Sequence, residues 1–187
     1  ALLGFLLALQ EKKGSKRLLT SRAEHHAVSK TAEQLAVDYG GEVGWLEVDE
    51  FGMVHPELVG RALGDKAALV SVMYANNEIG TINPIGEIAA ACHAQQVLFH
   101  TDAVQAAAYL PVDVRSLDVD LMSLGAHKFY GPKGVGALYV RKGTPLASVL
   151  TGGGQEFGLR SGTQNVPYIV GFAEALRLTE AEREARI

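Results

Sequence analysis

Short apolar runs recur along the chain at 17–20 (RLLT), 42–48 (EVGWLEV), 67–74 (AALVSVMY), 97–102 (VLFHTD), 119–124 (VDLMSL) and 136–140 (GALYV). Each has strand length and is rich in apolar residues. Helical patterns occupy the intervals near 27–39, 56–63, 84–95 and 103–109. This alternation predicts an α/β fold: a mainly parallel, mixed sheet between helices. Pro56 and Pro84 suit first-turn positions, and Gly40-Gly41 suits the end of the helix beginning near Ala27. The apolar run 2–9 is shorter than the roughly 20 residues a bilayer span needs, so it reads as a buried helix. The glycine-rich, polar stretch 151–163 (TGGGQEFGLRSGT) reads as a functional loop. There is no internal repeat.

Composition narrows the class. At 187 residues and 48% hydrophobic content the chain is sized for one soluble domain with a substantial core. The formal charge of −4, with 17 basic against 21 acidic residues and no basic block, favours neither nucleic acid nor an anionic membrane. The single cysteine, Cys92, has no disulfide partner and no second thiol for a metal site, which points to a reducing, cytoplasmic compartment. The chain opens in an apolar helical run and closes in a charged one (179–187, TEAEREARI), so a piece of a longer enzyme is expected.

The chemistry concentrates at two strand ends. The segment 123–136, SLGAHKFYGPKGVG, sets Lys128 between His127 and a Gly/Pro-rich turn, and HTDAVQ sets Asp102 and Gln105 after another apolar run. In open α/β sheets ligands gather at the carboxyl ends of strands, so the two sites can converge. A carboxylate beside a pyridine nitrogen favours its protonated form, and an amine can condense with an aldehyde; together they suggest pyridoxal phosphate (PLP). Burial beside another cation would make the Lys128 amine nucleophilic. The plainer readings are a helix N-cap at Asp102 and a ligand-free tight turn at Gly131-Pro132-Lys133-Gly134.

SRAEHHAV, YANNEIG, FHTDAVQ, LMSLGAHKFYGPKGVGALYV and GGGQEFGLRSGT, in register along almost the whole chain, closely resemble the PLP-dependent cysteine desulfurases of the class V aminotransferase-like family. The resemblance implies that residues 1–187 form the PLP-binding large domain of a fold-type I transferase. It makes Lys128 the Schiff-base lysine, Asp102 the partner of the pyridine nitrogen, and Asn77 and Gln105 neighbours of the phenolic oxygen. His25 would stack on the ring and assist proton traffic; on the residues alone, His25 and His26 read as exposed loop or cap histidines. Phosphate would be held by His127 and, across a homodimer interface, by Thr163. L-cysteine would be the substrate, giving alanine and an enzyme persulfide destined, through a scaffold protein, for iron–sulfur clusters.

Two positions depart from the family pattern. Gly125 stands where a serine commonly donates to phosphate, and Phe157 where an arginine is usual. The resemblance also places a further phosphate-binding loop before Ala1, and a sulfur-accepting cysteine, a substrate-binding arginine and a small domain after Ile187. Cys92, in a helical pattern, does not match that acceptor and reads as a small buried residue. Other class V-type reactions, selenocysteine lyase or a small-substrate aminotransferase, share the lysine and aspartate. A non-catalytic dimerisation fragment is a further alternative, whereas a nucleotide-binding module lacks its glycine-rich phosphate loop.

Overall fold

A computed structural model describes residues 1–11, 17–64 and 67–186. In chain order the elements are α1 (Leu2–Glu11), β1 (Arg17–Ser21), α2 (His26–Asp38), β2 (Glu42–Leu46), α3 (Pro56–Leu63), β3 (Ala67–Ser71), α4 (Ile85–His93), β4 (Leu98–Asp102), β5 (Leu121–Gly125), β6 (Gly136–Val140) and α5 (Val166–Arg186). The six strands form one sheet in the order β2-β1-β3-β4-β5-β6, parallel throughout except for antiparallel β6. The expected mixed, mainly parallel sheet is therefore observed.

Side chains alternate between the two faces of the sheet with period two. Leu18, Leu69 and Leu121 enter a core with Phe5 of α1 and Val28, Ala32 and Leu35 of α2. Their neighbours Leu19, Val70, Phe99 and Met122 enter the opposite core with Val59 and Leu63 of α3 and Ile88, Ala89 and Cys92 of α4. Both faces are thus covered, as a parallel sheet requires. A third cluster seats Phe172, Ala175 and Leu176 of α5 on Ala107, Ala108, Ala126 and Phe129, beyond the strand ends. No described helix is long and apolar enough to cross a membrane.

Local chemistry sets several boundaries. Pro56 takes a first-turn position of α3, where its missing N–H costs nothing. Gly40, at φ +62°, follows α2, and the Gly41 amide closes the helix end on the Leu35 carbonyl at 3.0 Å. Pro84 falls one residue outside α4, as its N-cap. The helix expected over 103–109 is a single 3₁₀ turn, Ala106–Ala108, whose alanines are buried. Conversely, α5 starts well before the charged run 179–187; Ile187 lies outside the described residues.

Candidate active site

Strands β1, β3, β4 and β5 are parallel neighbours, so their carboxyl ends emerge along one edge. The chain leaves β1 for β2 on one side and resumes at β3 on the other. The gap between β1 and β3 is therefore the topological switch point, where open α/β sheets bind ligands. A cavity of about 480 Å³ lies there, lined by Arg22, Glu24, His25, Trp45, Asn76 and Asn77 among others. Asp102, which ends β4, and Lys128, which follows β5, lie further along the same edge. Of the expected site residues, His25 and Asn77 line this cavity, and the other five do not.

The loop after β1 owes its shape to its own side chains. Ser21 Oγ accepts the Ala23 amide at 3.2 Å, and His25 is the N-cap of α2, its Nδ1 accepting the Ala27 amide at 3.1 Å. His25 is exposed and combines a cap with a cavity-lining position. Asn76 organises the loop after β3: its Oδ1 accepts the Glu78 and Ile79 amides at 2.8 and 3.0 Å, presenting Asn77 beside it.

Asp102 is half-buried, and its Oδ1 accepts the Val104 amide at 2.9 Å, so it also closes a turn. Burial pushes its pKa up; the Val104 amide and the charges of His25 and Lys128 pull it down. Both side chains are thus close enough to bear on the titration of Asp102. Glu24 is buried more deeply, and burial raises its pKa to about 8; the Met73 amide opposes the rise and the Asp102 charge reinforces it. Glu24 therefore carries its proton at neutral pH.

Strand β5 runs directly into a one-turn 3₁₀ helix, Ala126–Lys128. The next turn is tightly built: the Gly131 amide bonds the Ala126 carbonyl at 2.9 Å, and a Cβ on Gly131 would lie 2.8 Å from that of Ala126. Buried Phe129 anchors the segment edge-on to Phe172 of α5, with ring centroids 5.3 Å apart. His127 and Lys128 are exposed, so the burial expected around the lysine is not present; the segment's buried contacts are made by Ala126 and Phe129 instead.

Gln105 is half-buried just before the 3₁₀ turn after β4, and Thr163 is exposed ahead of α5. Gly125 is extended (φ −135°), a conformation open to any residue, and a Cβ there would lie 3.1 Å from Val104 Cγ1. Phe157, 99% exposed, adopts a left-handed conformation at φ +59°. Cys92 is buried in α4, its thiol pushed up to about 12 by burial and the Asp120 charge, as suits a core residue.

The sequence reading missed a polar chain beneath the site. His100, on the same face of β4 as Asp102, bonds Ser71 Oγ through Nδ1 at 2.8 Å and Ser123 Oγ through Nε2 at 2.9 Å. Burial drives its pKa down to about 3, so the ring is neutral, accepting a hydrogen bond from one serine and donating one to the other. The available signal was a polar residue within each of three neighbouring apolar strands: Ser71 pairs in register with His100, and Ser123 pairs with Asp102 two positions further along. Glu24 was missed as well, although an acid between a strand end and a helix cap is conspicuous once its burial is known.

The class V aminotransferase family model matches residues 4–187. The chain belongs to the aminotransferase class-V family. A cysteine desulfurase IscS from Methanosarcina thermophila is 49% identical over 184 residues, covering 98% of this chain and 45% of the relative. Among solved structures, a NifS-like protein superposes with TM-score 0.93 at 40% identity, covering 98% of this chain and 50% of that one. SspA in complex with cysteine superposes with TM-score 0.87 at 37% identity, covering 94% and 51% respectively. The chain thus spans about half the length of the curated relatives it matches. The class V sheet is that of fold-type I PLP enzymes, and the family is PLP-dependent.

Proposed function

We propose that this chain is the PLP-binding large domain of a cysteine desulfurase. The observation that carries the reading is the carboxyl edge itself, where a half-buried acid, Asp102, feels the charges of Lys128 and His25 beside the switch-point cavity. The residues fit PLP: Asp102 offers a carboxylate for a pyridinium nitrogen, Lys128 an exposed amine for an aldehyde, and His25 a ring held by its cap. When bound, the cofactor withdraws electrons from the substrate's α-carbon and activates the adjoining carbon–sulfur unit.

The chain's own groups do the rest. Lys128 Nζ would hold the cofactor and is the amine that would move a proton at the substrate α-carbon. The cap leaves His25 Nε2 to carry the ring's exchangeable proton. Asn77 and Gln105 would supply side-chain amides to the cofactor's phenolic oxygen. His127 holds phosphate, with Thr163 supplied by the second subunit of a homodimer; Gly125 has only a backbone N–H to offer there. The named desulfurase relatives support L-cysteine as substrate, and the product sulfur goes to a scaffold protein in iron–sulfur cluster assembly in the cytoplasm. The accepting thiolate and the carboxylate-binding arginine come from outside residues 1–187, since buried Cys92 cannot serve.

The test is incubation with PLP, L-cysteine and a reductant, following alanine and sulfide, with the 187-residue chain beside the same chain extended to the length of its relatives. Turnover by the extended protein and little by the chain alone is expected. Equal rates in both, persisting in Cys92→Ser, would refute this division of labour. Preference for selenocysteine, or amino-group transfer without sulfide, would assign a different class V reaction.

A further inference from the structure

Two side chains tie the loop after β1 to the end of β3. Glu24 Oε1 accepts the Met73 amide at 2.7 Å and lies 3.5 Å from the Ser21 hydroxyl. Asn76 Nδ2 donates to the Ala23 carbonyl at 2.8 Å and contacts Met73 Sδ at 3.4 Å. Glu24 is 6% exposed, and its Oε2 is buried without a hydrogen-bond partner. A charged carboxylate in that position would be strongly penalised, whereas a neutral acid keeps its carbonyl oxygen for Met73.

We propose that Glu24 and Asn76 are positioning residues that clamp the loop after β1 onto the end of β3, fixing His25 and Asn77 on the wall of one cavity. The geometry supports this directly. His25 follows Glu24 and Asn77 follows Asn76, so each clamp residue adjoins an expected cofactor-binding residue. Both ties cross the switch point, where the sheet's own hydrogen bonds have ended. The charged groups around the clamp are consistent with a neutral Glu24: Asp102 acts on it from β4, while His25 and Lys128 act on Asp102.

The test compares Glu24→Gln, which keeps a carbonyl acceptor, with Glu24→Ala, Asn76→Ala and the double alanine variant. The first readout is hydrogen exchange of the Met73 amide in cofactor-free protein, which is independent of the functional reading. About tenfold faster exchange is expected in Glu24→Ala, with Glu24→Gln like wild type. The second is the PLP dissociation constant, which rests on the cofactor reading. About tenfold weaker binding is expected in either single alanine variant, with less than additive loss in the double, because both residues hold one loop. Wild-type exchange and affinity in Glu24→Ala, or Glu24→Gln as impaired as Glu24→Ala, would overturn the clamp. If Glu24→Ala does not fold, Glu24→Gln and Asn76→Ala still decide. If wild type binds no PLP, the cofactor reading falls while Met73 exchange still judges the clamp.

Discussion

The imidazole of His25 accepts the Ala27 backbone amide through Nδ1 at 3.1 Å. A nitrogen that accepts cannot carry the proton, so the neutral ring is fixed as the Nε2–H tautomer. Cap and ring chemistry are separable by substitution. His25→Asn retains a capping side chain and should keep the fold's stability within a few tenths of a kcal/mol, while His25→Ala should lose about 1 kcal/mol. Both should lose most of the turnover. Urea unfolding with steady-state assays checks this; His25→Asn at wild-type activity would reduce His25 to a cap.

Asp102→Asn preserves the carbonyl oxygen that accepts the Val104 amide, so the turn after β4 should survive. An amide has no negative charge to hold a proton on a pyridine nitrogen. Turnover should therefore fall by at least about tenfold, one pKa unit's worth of stabilisation, with cofactor content nearly unchanged. Cofactor absorbance and alanine release from one preparation make the comparison, and unchanged turnover would leave Asp102 only its turn-closing role.

Three lysines flank or follow the site: Lys128, Lys133 and Lys142. Only Lys128 is placed so that its charge acts on Asp102. Borohydride reduction of the PLP-loaded protein should fix the cofactor to Lys128, and Lys128→Ala should bind it without covalent attachment. Peptide mapping reads the site directly, and label on Lys133 or Lys142 would rule the assignment out.

The pH dependence of stability follows from two buried groups with opposite signs. His100 has a folded pKa of about 3 against 6.5 unfolded, so between those values the unfolded chain binds the extra proton and stability falls as pH falls. Glu24 has a folded pKa of about 8 against 4.5, so the folded chain binds the extra proton and stability falls as pH rises through that window. Between pH 4.5 and 6.5 the two slopes, each about 1.4 kcal/mol per unit, oppose one another. A plateau is expected there, with decline on both sides. In Glu24→Gln the alkaline decline should weaken and stability should rise to about pH 6.5. Urea midpoints of the cofactor-free protein measured across pH 3 to 9 decide it; identical profiles for wild type and Glu24→Gln would contradict a buried neutral acid.

Strand positions were legible because burial on both faces demands short, nearly continuous apolar runs. Thus 136–140 coincides with β6, and 67–74 overran β3 by three residues, of which Val72 and Met73 stay buried and Val72 and Tyr74 still bond the β4 side through their amides. The helix expected over 103–109 shortened because buried alanines receive α5 there, a contact with residues some 65 positions away that no local pattern encodes. The start of α5 escaped notice because Val166, Ile169 and Val170 are apolar yet exposed, so no polar face marks the helix. Asp102 and Lys128 were legible as polar residues at strand ends. Glu24, Asn76 and His100 were not, since their partners Met73, Ala23, Ser71 and Ser123 are distant in sequence and close only after the strands pair.

The absent side chain of Gly131 carries a genetic consequence. Every single-base change that replaces a glycine introduces either a Cβ or a stop, and even the smallest Cβ would stand 2.8 Å from the Ala126 Cβ in the turn that follows Lys128. Alanine and serine, mild replacements at most surface turns, are no milder here in their first atom. This codon therefore has no silent missense neighbour: within one mutational step the Lys128 turn is kept as it is or forced to move.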